Sequence, residues 1–221
     1  MDEIENDVEK MDLKELHKAV FEGDVKTAEE LTRKAFAEGM PIKKMLDEGL
    51  IYPMSVVGEK FKCSEVFIPE VIISAKAMQA GLKVLEPHFA SSGIRPVARV
   101  VIGTVKGDLH DIGKNIVTMM LKGAGFAVED FGIDVSPERF VERVKKGDIE
   151  ILAMSSLLTT SLGSMGDTIK ALKSSGLRDR VKTMIGGAPV TQDFSAKIGA
   201  DGYAPDAASA VDKAKELLGI R

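Results

Sequence analysis

At 221 residues the chain has room for one large domain or two small ones. Its 44% hydrophobic and 29% charged residues are those of a globular protein, and a net charge of -4 argues against a nucleic-acid surface. No apolar run approaches the roughly 18 residues of a membrane span, the acidic start MDEIENDVEK is no signal peptide, and the single Cys63 excludes an internal disulfide, which together point to the cytoplasm.

In chain order, residues 12 to about 90 read as helical throughout. Leu13, Leu16, Val20 and Phe21 fall at helical spacing. The next helix takes Asp24 as its N-cap and Gly39 as its stop. Pro41 opens a third helix, and Leu50 to Phe61 form another, with Pro53 near its first turn. Pro69, at a first-turn position, starts the last one, EVIISAKAMQAGLKVLEPHF. Four or five helices with short connections predict an antiparallel bundle over residues 1–90. The small, polar stretch SSGIRP places a linker at 91–97.

From residue 98 to 221 the texture changes, and short apolar runs alternate with helical stretches. RVVIG precedes a helix from about Gly113; AVEDFG precedes SPERFVERVKK; EILAMSS precedes SLGSMGDTIKALKSS. VKTMIGG then precedes TQDFSAKIG, and DGYA precedes DAASAVDKAKELLG. These βα units predict a doubly wound, flavodoxin-like (Rossmann-like) domain with a five-stranded parallel sheet. Such sheets bind ligands beyond the carboxyl ends of their strands, beside the switch point of strand order.

The loop after the first predicted strand, GTVKGDLHDIGKN, is therefore the place to look for chemistry. It holds Asp108, His110 and Gly113 in the pattern D-x-H-x-x-G. The other histidines, His17 and His88, lie in the helical half and read as structural. A carboxylate at Asp108 is placed to accept a hydrogen bond from one imidazole nitrogen of His110, which fixes the tautomer and raises the basicity of the other. On its own, D-x-H in a loop is weak evidence and fits a structural histidine better than a metal ligand. The eleven methionines, Met119 and Met120 among them, read as core filler.

Two further motifs follow in order: Ser155-Ser156-Leu157 and Gly186-Gly187, each at the end of a predicted strand. With D-x-H-x-x-G, they resemble the signature of the cobalamin-binding domain shared by methionine synthase, corrinoid mutases and the corrinoid proteins of methyltransferase systems. The helical segment VVGEKFKCSEVFIPEVI is similar to the methionine synthase cap, so the resemblance covers roughly residues 12 to 215. It implies a cobalamin or related cobamide as cofactor, with His110 as the lower axial ligand of cobalt in place of the cofactor's own base. Asp108 is implied as the hydrogen-bond partner of that histidine, and Ser161 as the end of a ligand relay. Gly107, Asp111, Ile112, Gly113 and Leu157 fall within the matching motifs. Ser155 and Thr159 are implied to hydrogen-bond the nucleotide tail, in a slot that Gly103, Gly186 and Gly187 leave open; tight strand-to-helix turns are the alternative reason for those glycines. Phe61, Ile68 and Val71 occupy the cap's apolar positions, with isoleucine where the family's usual residue is leucine.

Only cap and cobamide domain are present, without the substrate barrel of about 250 residues found in methionine synthase and mutases. The resemblance is therefore strongest to small corrinoid carriers. These accept a methyl group on cobalt from a substrate:corrinoid methyltransferase of the methylamine, methanol or methoxy-aromatic type. They pass it to a methylcorrinoid:coenzyme M or tetrahydrofolate methyltransferase, and a reductive activation protein is a third partner. On this reading the chain is a non-catalytic subunit, with neither nucleic acid nor membrane as partner. A cobamide-dependent sensor or regulator, a small subunit of a corrinoid mutase and a cobamide storage protein are the alternatives.

Overall fold

The computed structural model describes residues 13–89 and 92–220, which form two compact units divided between Arg95 and Pro96. The first unit is all helix. It contains α1 (Lys14–Glu22), α2 (Val25–Ala37), α3 (Ile42–Lys44), a π-helical segment (Met45–Ile51), α4 (Tyr52–Lys62) and α5 (Ile68–Leu85). Asp24 caps α2 as expected, its Oδ1 accepting from the Thr27 N–H at 3.0 Å. Pro69 stands in the first turn of α5, where a missing N–H costs nothing.

The third and fourth predicted helices are not separate. Helical residues run without a gap from Ile42 to Lys62, because the chain widens into the π-helical segment just before Pro53. Proline lacks the N–H that an α-helix would direct at Gly49, and the Tyr52 N–H instead reaches back five residues to the Asp47 carbonyl. The proline is thereby absorbed rather than ending the helix.

Helix α5 packs against α1, α2 and α4. Leu16, Val20, Met45, Leu50, Met54, Val71, Met78 and Leu85 are buried in this unit. Gly81 permits the approach of α2 to α5, since a Cβ there would lie 2.7 Å from Leu50 Cδ2 and 2.8 Å from Thr32 Oγ1.

The second unit is the expected doubly wound domain. Strands β1 (Arg99–Thr104), β2 (Ala127–Asp130), β3 (Ile151–Ser155), β4 (Lys182–Gly186) and β5 (Gly202–Ala204) are all parallel, in the order β2-β1-β3-β4-β5. Between them run α6 (Ile112–Gly123), α7 (Pro137–Lys145), α8 (Leu162–Ser174) and α9 (Gln192–Ile198), and α10 (Ala207–Leu217) follows β5. Alternation along the strands sorts the two faces. Val101, Leu152, Met154 and Ile185 join Phe140 of α7 and Met165, Ile169 and Leu172 of α8 in one core. Val100, Ile102, Ile151, Ala153 and Met184 join Leu121 of α6 and Ala210 and Ala214 of α10 in the other. The direction of winding reverses between β1 and β3, which fixes the switch point at their carboxyl ends.

Gly103 lies in this packing rather than beside open space. A Cβ on it would sit 2.9 Å from Phe140 Cζ and 3.0 Å from Val135 Cγ2, so its role is to let α7 close on β1. Gly103→Ala is expected to cost about 1–3 kcal/mol of overpacking. Phe140→Leu, which removes the ring, should make the Gly103→Ala change cheaper in the double variant than in the parent, as a denaturant-unfolding cycle over the four proteins will measure.

Candidate functional site

The loop between β1 and α6 is fastened before it reaches its histidine. Gly107 takes a left-handed φ of 86°, open to glycine without strain, and its N–H donates to Asp134 Oδ1 at 2.8 Å. The Asp134 N–H donates in turn to the Asp108 carbonyl at 3.1 Å. Thr104 Oγ donates to the His110 carbonyl at 2.8 Å, and Ser164 Oγ to the Lys106 carbonyl at 2.9 Å. Asp111, just before α6, accepts from the Asn115 side chain at 3.0 Å.

At the centre is the carboxylate of Asp108, with 0% of its side chain exposed. Its Oδ1 accepts from the His110 backbone N–H at 3.0 Å and lies 2.7 Å from His110 Nδ1. Its Oδ2 accepts from the N–H groups of Leu157 at 2.6 Å and Leu158 at 3.1 Å. The hydroxyls of Ser156 and Ser161 stand 3.3 and 3.2 Å from the same oxygen. Burial pushes the Asp108 carboxyl up, but the N–H groups of His110, Leu157 and Leu158 and the His110 ring outweigh it, and the group is held well below the usual carboxylate range. An ionised carboxylate only accepts, so the proton between it and His110 belongs to Nδ1. In the neutral imidazole the lone pair then falls on the other nitrogen, Nε2, of a side chain that is 51% exposed.

The loops that carry this site also expose several large apolar side chains. Leu109 and Ile112, in the same loop, are 68% and 71% exposed. Leu157 and Leu158, whose N–H groups bind Asp108, are 46% and 38% exposed. Ile133, next to Asp134, is also exposed. Uncovered side chains of this kind mark a surface meant to be covered. Gly113, the second residue of α6, has nothing within 4 Å of where a Cβ would stand, so packing within the chain gives no reason for a glycine there.

Among the described residues no group of three or more His, Cys, Asp or Glu side chains is arranged to hold a metal ion. A bare ion bound by protein alone takes several such ligands. One anchored imidazole in loops that expose apolar side chains fits instead a metal that arrives with its equatorial positions already filled by a large, flat, apolar macrocycle. The donor set present therefore fits a corrinoid.

The remaining predicted residues are distributed unevenly. Ser155 ends β3 half-buried and Thr159 is exposed, and neither hydroxyl joins the Asp108 cluster. Ser156, quoted in the second motif but given no role there, does join it. Gly186 and Gly187 have a reason within the fold: Cβ atoms there would come 2.9 Å from the Ala204 carbonyl oxygen and 1.8 Å from that of Ser156. The Ser156 N–H also donates to the Gly186 carbonyl at 3.1 Å. Gly187 thus lets the end of β4 lie against the backbone that aims Ser156 at Asp108, and Gly186 lets it lie close to β5, so the tight-turn reason accounts for a glycine at both positions. In the helical unit Phe61 is half-buried, Val71 is buried and Ile68 is exposed; Phe67, not singled out in the sequence, is the most exposed of this group at 63%.

Residues 98–212 match the B12 binding domain, and residues 12–86 match a second model also described as a B12 binding domain. The chain belongs to the family of B12-binding proteins. Within it, the chain is 46% identical over 189 residues to dimethylamine corrinoid protein 3 of Methanosarcina acetivorans, covering 86% of this chain and 88% of that one. It is 43% identical over 204 residues to the trimethylamine corrinoid protein of Methanosarcina barkeri, covering 91% and 94%. A chain of the methanol:cobalamin methyltransferase complex of Methanosarcina barkeri superposes with a TM-score of 0.84 at 30% identity, over 94% of this chain and 79% of that one. The cofactor of the chain is thus a cobalamin or related cobamide.

Two variants test the geometry without cofactor. Asp108 binds fewer protons folded than unfolded, so its contribution to stability is complete above the ordinary carboxylate pKa of about 4 and is lost as pH falls from there toward its depressed folded value. Asp108→Asn is expected to flatten the pH dependence of unfolding free energy between about pH 2 and pH 4. Gly187→Ala must displace the Ser156 backbone and is expected to destabilise the apoprotein by at least about 2 kcal/mol, from its φ of 128° and the backbone clash together.

Proposed function

We propose that the chain is a methyl carrier that holds its corrinoid through His110 and presents it to separate methyltransferases. The observation that carries this reading is the half-exposed imidazole, fastened at Nδ1 by a buried carboxylate, in loops that also leave Leu109, Ile112, Leu157 and Leu158 uncovered. When bound, the corrinoid supplies a cobalt centre that accepts and releases a methyl group. The protein's share is narrower. Asp108 keeps the Nδ1 proton in place and makes Nε2 the donor, and the apolar side chains keep water from the face that they cover. The apolar residues of the helical unit, Phe61, Ile68 and Phe67, are read as further cover for the cofactor, with the buried Val71 supporting them, following the likeness to the methionine synthase cap. The glycine at Gly113 admits the cofactor close to the start of α6.

Names among the relatives favour a carrier over a sensor, a mutase subunit or a storage protein, and favour methylamines over methoxy-aromatics as the source of the methyl group. The further partners are a substrate:corrinoid methyltransferase, a methyltransferase acting on coenzyme M or tetrahydrofolate, and a reductive activation protein, all in the cytoplasm.

The test is made on the cobamide-loaded protein. Electron paramagnetic resonance of its Co(II) form should show coupling to a nitrogen that changes when histidine is labelled with nitrogen-15, and His110→Ala should abolish it. Gly113→Ala should leave unfolding unchanged or slightly firmer, by up to about 1 kcal/mol for alanine over glycine in a helix, while weakening cobamide binding. Methyl release to coenzyme M or tetrahydrofolate should be slow for the chain alone and faster by orders of magnitude with a cognate methyltransferase. Coupling unaffected by the label would remove His110 as the ligand, and fast release by the isolated chain would remove the carrier role.

A further inference from the structure

Beneath Asp108 lies a cluster of oxygens with too few hydrogens to satisfy every contact at once. Ser156 Oγ is 3.3 Å from Asp108 Oδ2, 3.2 Å from the Leu158 carbonyl oxygen and 2.7 Å from Ser161 Oγ. Ser161 Oγ is 3.2 Å from the same carboxylate oxygen and 3.0 Å from the same carbonyl. Both serines are buried, at 0% and 4% exposure. Each hydroxyl has a single hydrogen, whereas the carboxylate and the carbonyl only accept.

The distance between the serines decides how the hydrogens are shared. Two hydroxyl oxygens at 2.7 Å with no hydrogen between them would turn lone pair against lone pair, so one serine donates to the other. That leaves one hydroxyl hydrogen for the two remaining acceptors. The ionised carboxylate is the stronger of them. Either serine can be the terminal donor, because both stand at similar distances from Asp108 Oδ2.

We propose that Ser156 and Ser161 form an interchangeable pair that delivers one hydrogen bond to Asp108, making Ser156 a positioning residue for the His110 ligand alongside Ser161. The inference rests on the reading of His110 as the cobalt ligand. In the intact pair one serine donates to its neighbour and the neighbour to Asp108. With either serine replaced by alanine, the survivor turns its hydrogen to the carboxylate, and the number of bonds that Asp108 accepts does not change. With both replaced the bond is lost, the charge on Asp108 is concentrated towards Oδ1, and the pull on the Nδ1 proton of His110 strengthens. Nε2 then becomes the better donor.

The experiment compares Ser156→Ala, Ser161→Ala and the double variant with the parent, all as cobamide-loaded proteins. It reads the histidine nitrogen coupling in the Co(II) form and the midpoint potential of the Co(II)/Co(I) couple, with cobamide content and thermal unfolding measured in parallel. A better axial donor favours Co(II), so the double variant should be harder to reduce, the reduction equilibrium moving by about tenfold, the scale of one hydrogen bond to a charged group. Each single variant should stay within about twofold of the parent, and restoring either serine to the double variant should recover the parent's potential. If Ser161→Ala alone gives the whole shift and Ser156→Ala gives none, Ser156 is packing only and the proposal is wrong. Equal potentials in all four proteins overturn it too. Should the double variant not fold, Ser156→Cys/Ser161→Cys, which keeps the side chains' shape but donates only weakly, takes its place: harder reduction than in the parent supports the pair, and a parent-like potential overturns it. A parent protein that binds no cobamide, or lacks the histidine coupling, would instead defeat the reading of His110 on which the pair rests.

Discussion

A buried charge with 0% exposure is the constraint around which this molecule is arranged. An isolated carboxylate in an apolar interior would neutralise rather than stay ionised. Asp108 stays ionised because donors converge on it from the loop after β1 and from the loop after β3. Those loops meet only because β1 and β3 are adjacent, which the crossing order of the sheet ensures. Gly187 contributes at one remove, by giving the Ser156 backbone room to lie where it does. Sheet topology, glycine placement and loop hydrogen bonds thus share one purpose: an anion held ready behind an imidazole.

The same arrangement divides labour between stability and reactivity. Everything that holds Asp108 is buried or made of backbone, while His110 is half-exposed. The fixed partner needs no cofactor to be in place, since Thr104, Asp134 and Ser164 fasten the loop from within the domain. Binding therefore pays little to order the ligand loop, which is the advantage of a preorganised site.

Much of this was legible in the sequence, and the reasons differ from residue to residue. The βα units showed themselves because apolar runs and amphipathic stretches alternate with the periods of strand and helix. Asp24 and Pro69 marked helix starts through simple local chemistry. The fusion of helical residues from Ile42 to Lys62 was hidden, because Pro53 reads as a break unless the preceding turn widens to accept it. Ser156 was hidden for a different reason: it stands in the second motif without an implied role, and its value lies in a contact across 48 residues of chain. The glycines were ambiguous for a third. A sequence shows that a side chain is missing but not what fills the space, and at Gly103 and Gly187 it is the protein itself. Phe67 escaped notice because it stands at the N-cap of α5, just outside the helix whose spacing picks out the apolar positions.

The exposed apolar side chains carry a further consequence for the chain before it is loaded. Leu109, Ile112, Leu157 and Leu158 stand uncovered in a protein whose net charge is only -4, so little electrostatic repulsion keeps two such faces apart. On the proposed reading of the site, the cofactor-free molecule is the more adhesive form, because a corrinoid seated on His110 would cover these side chains.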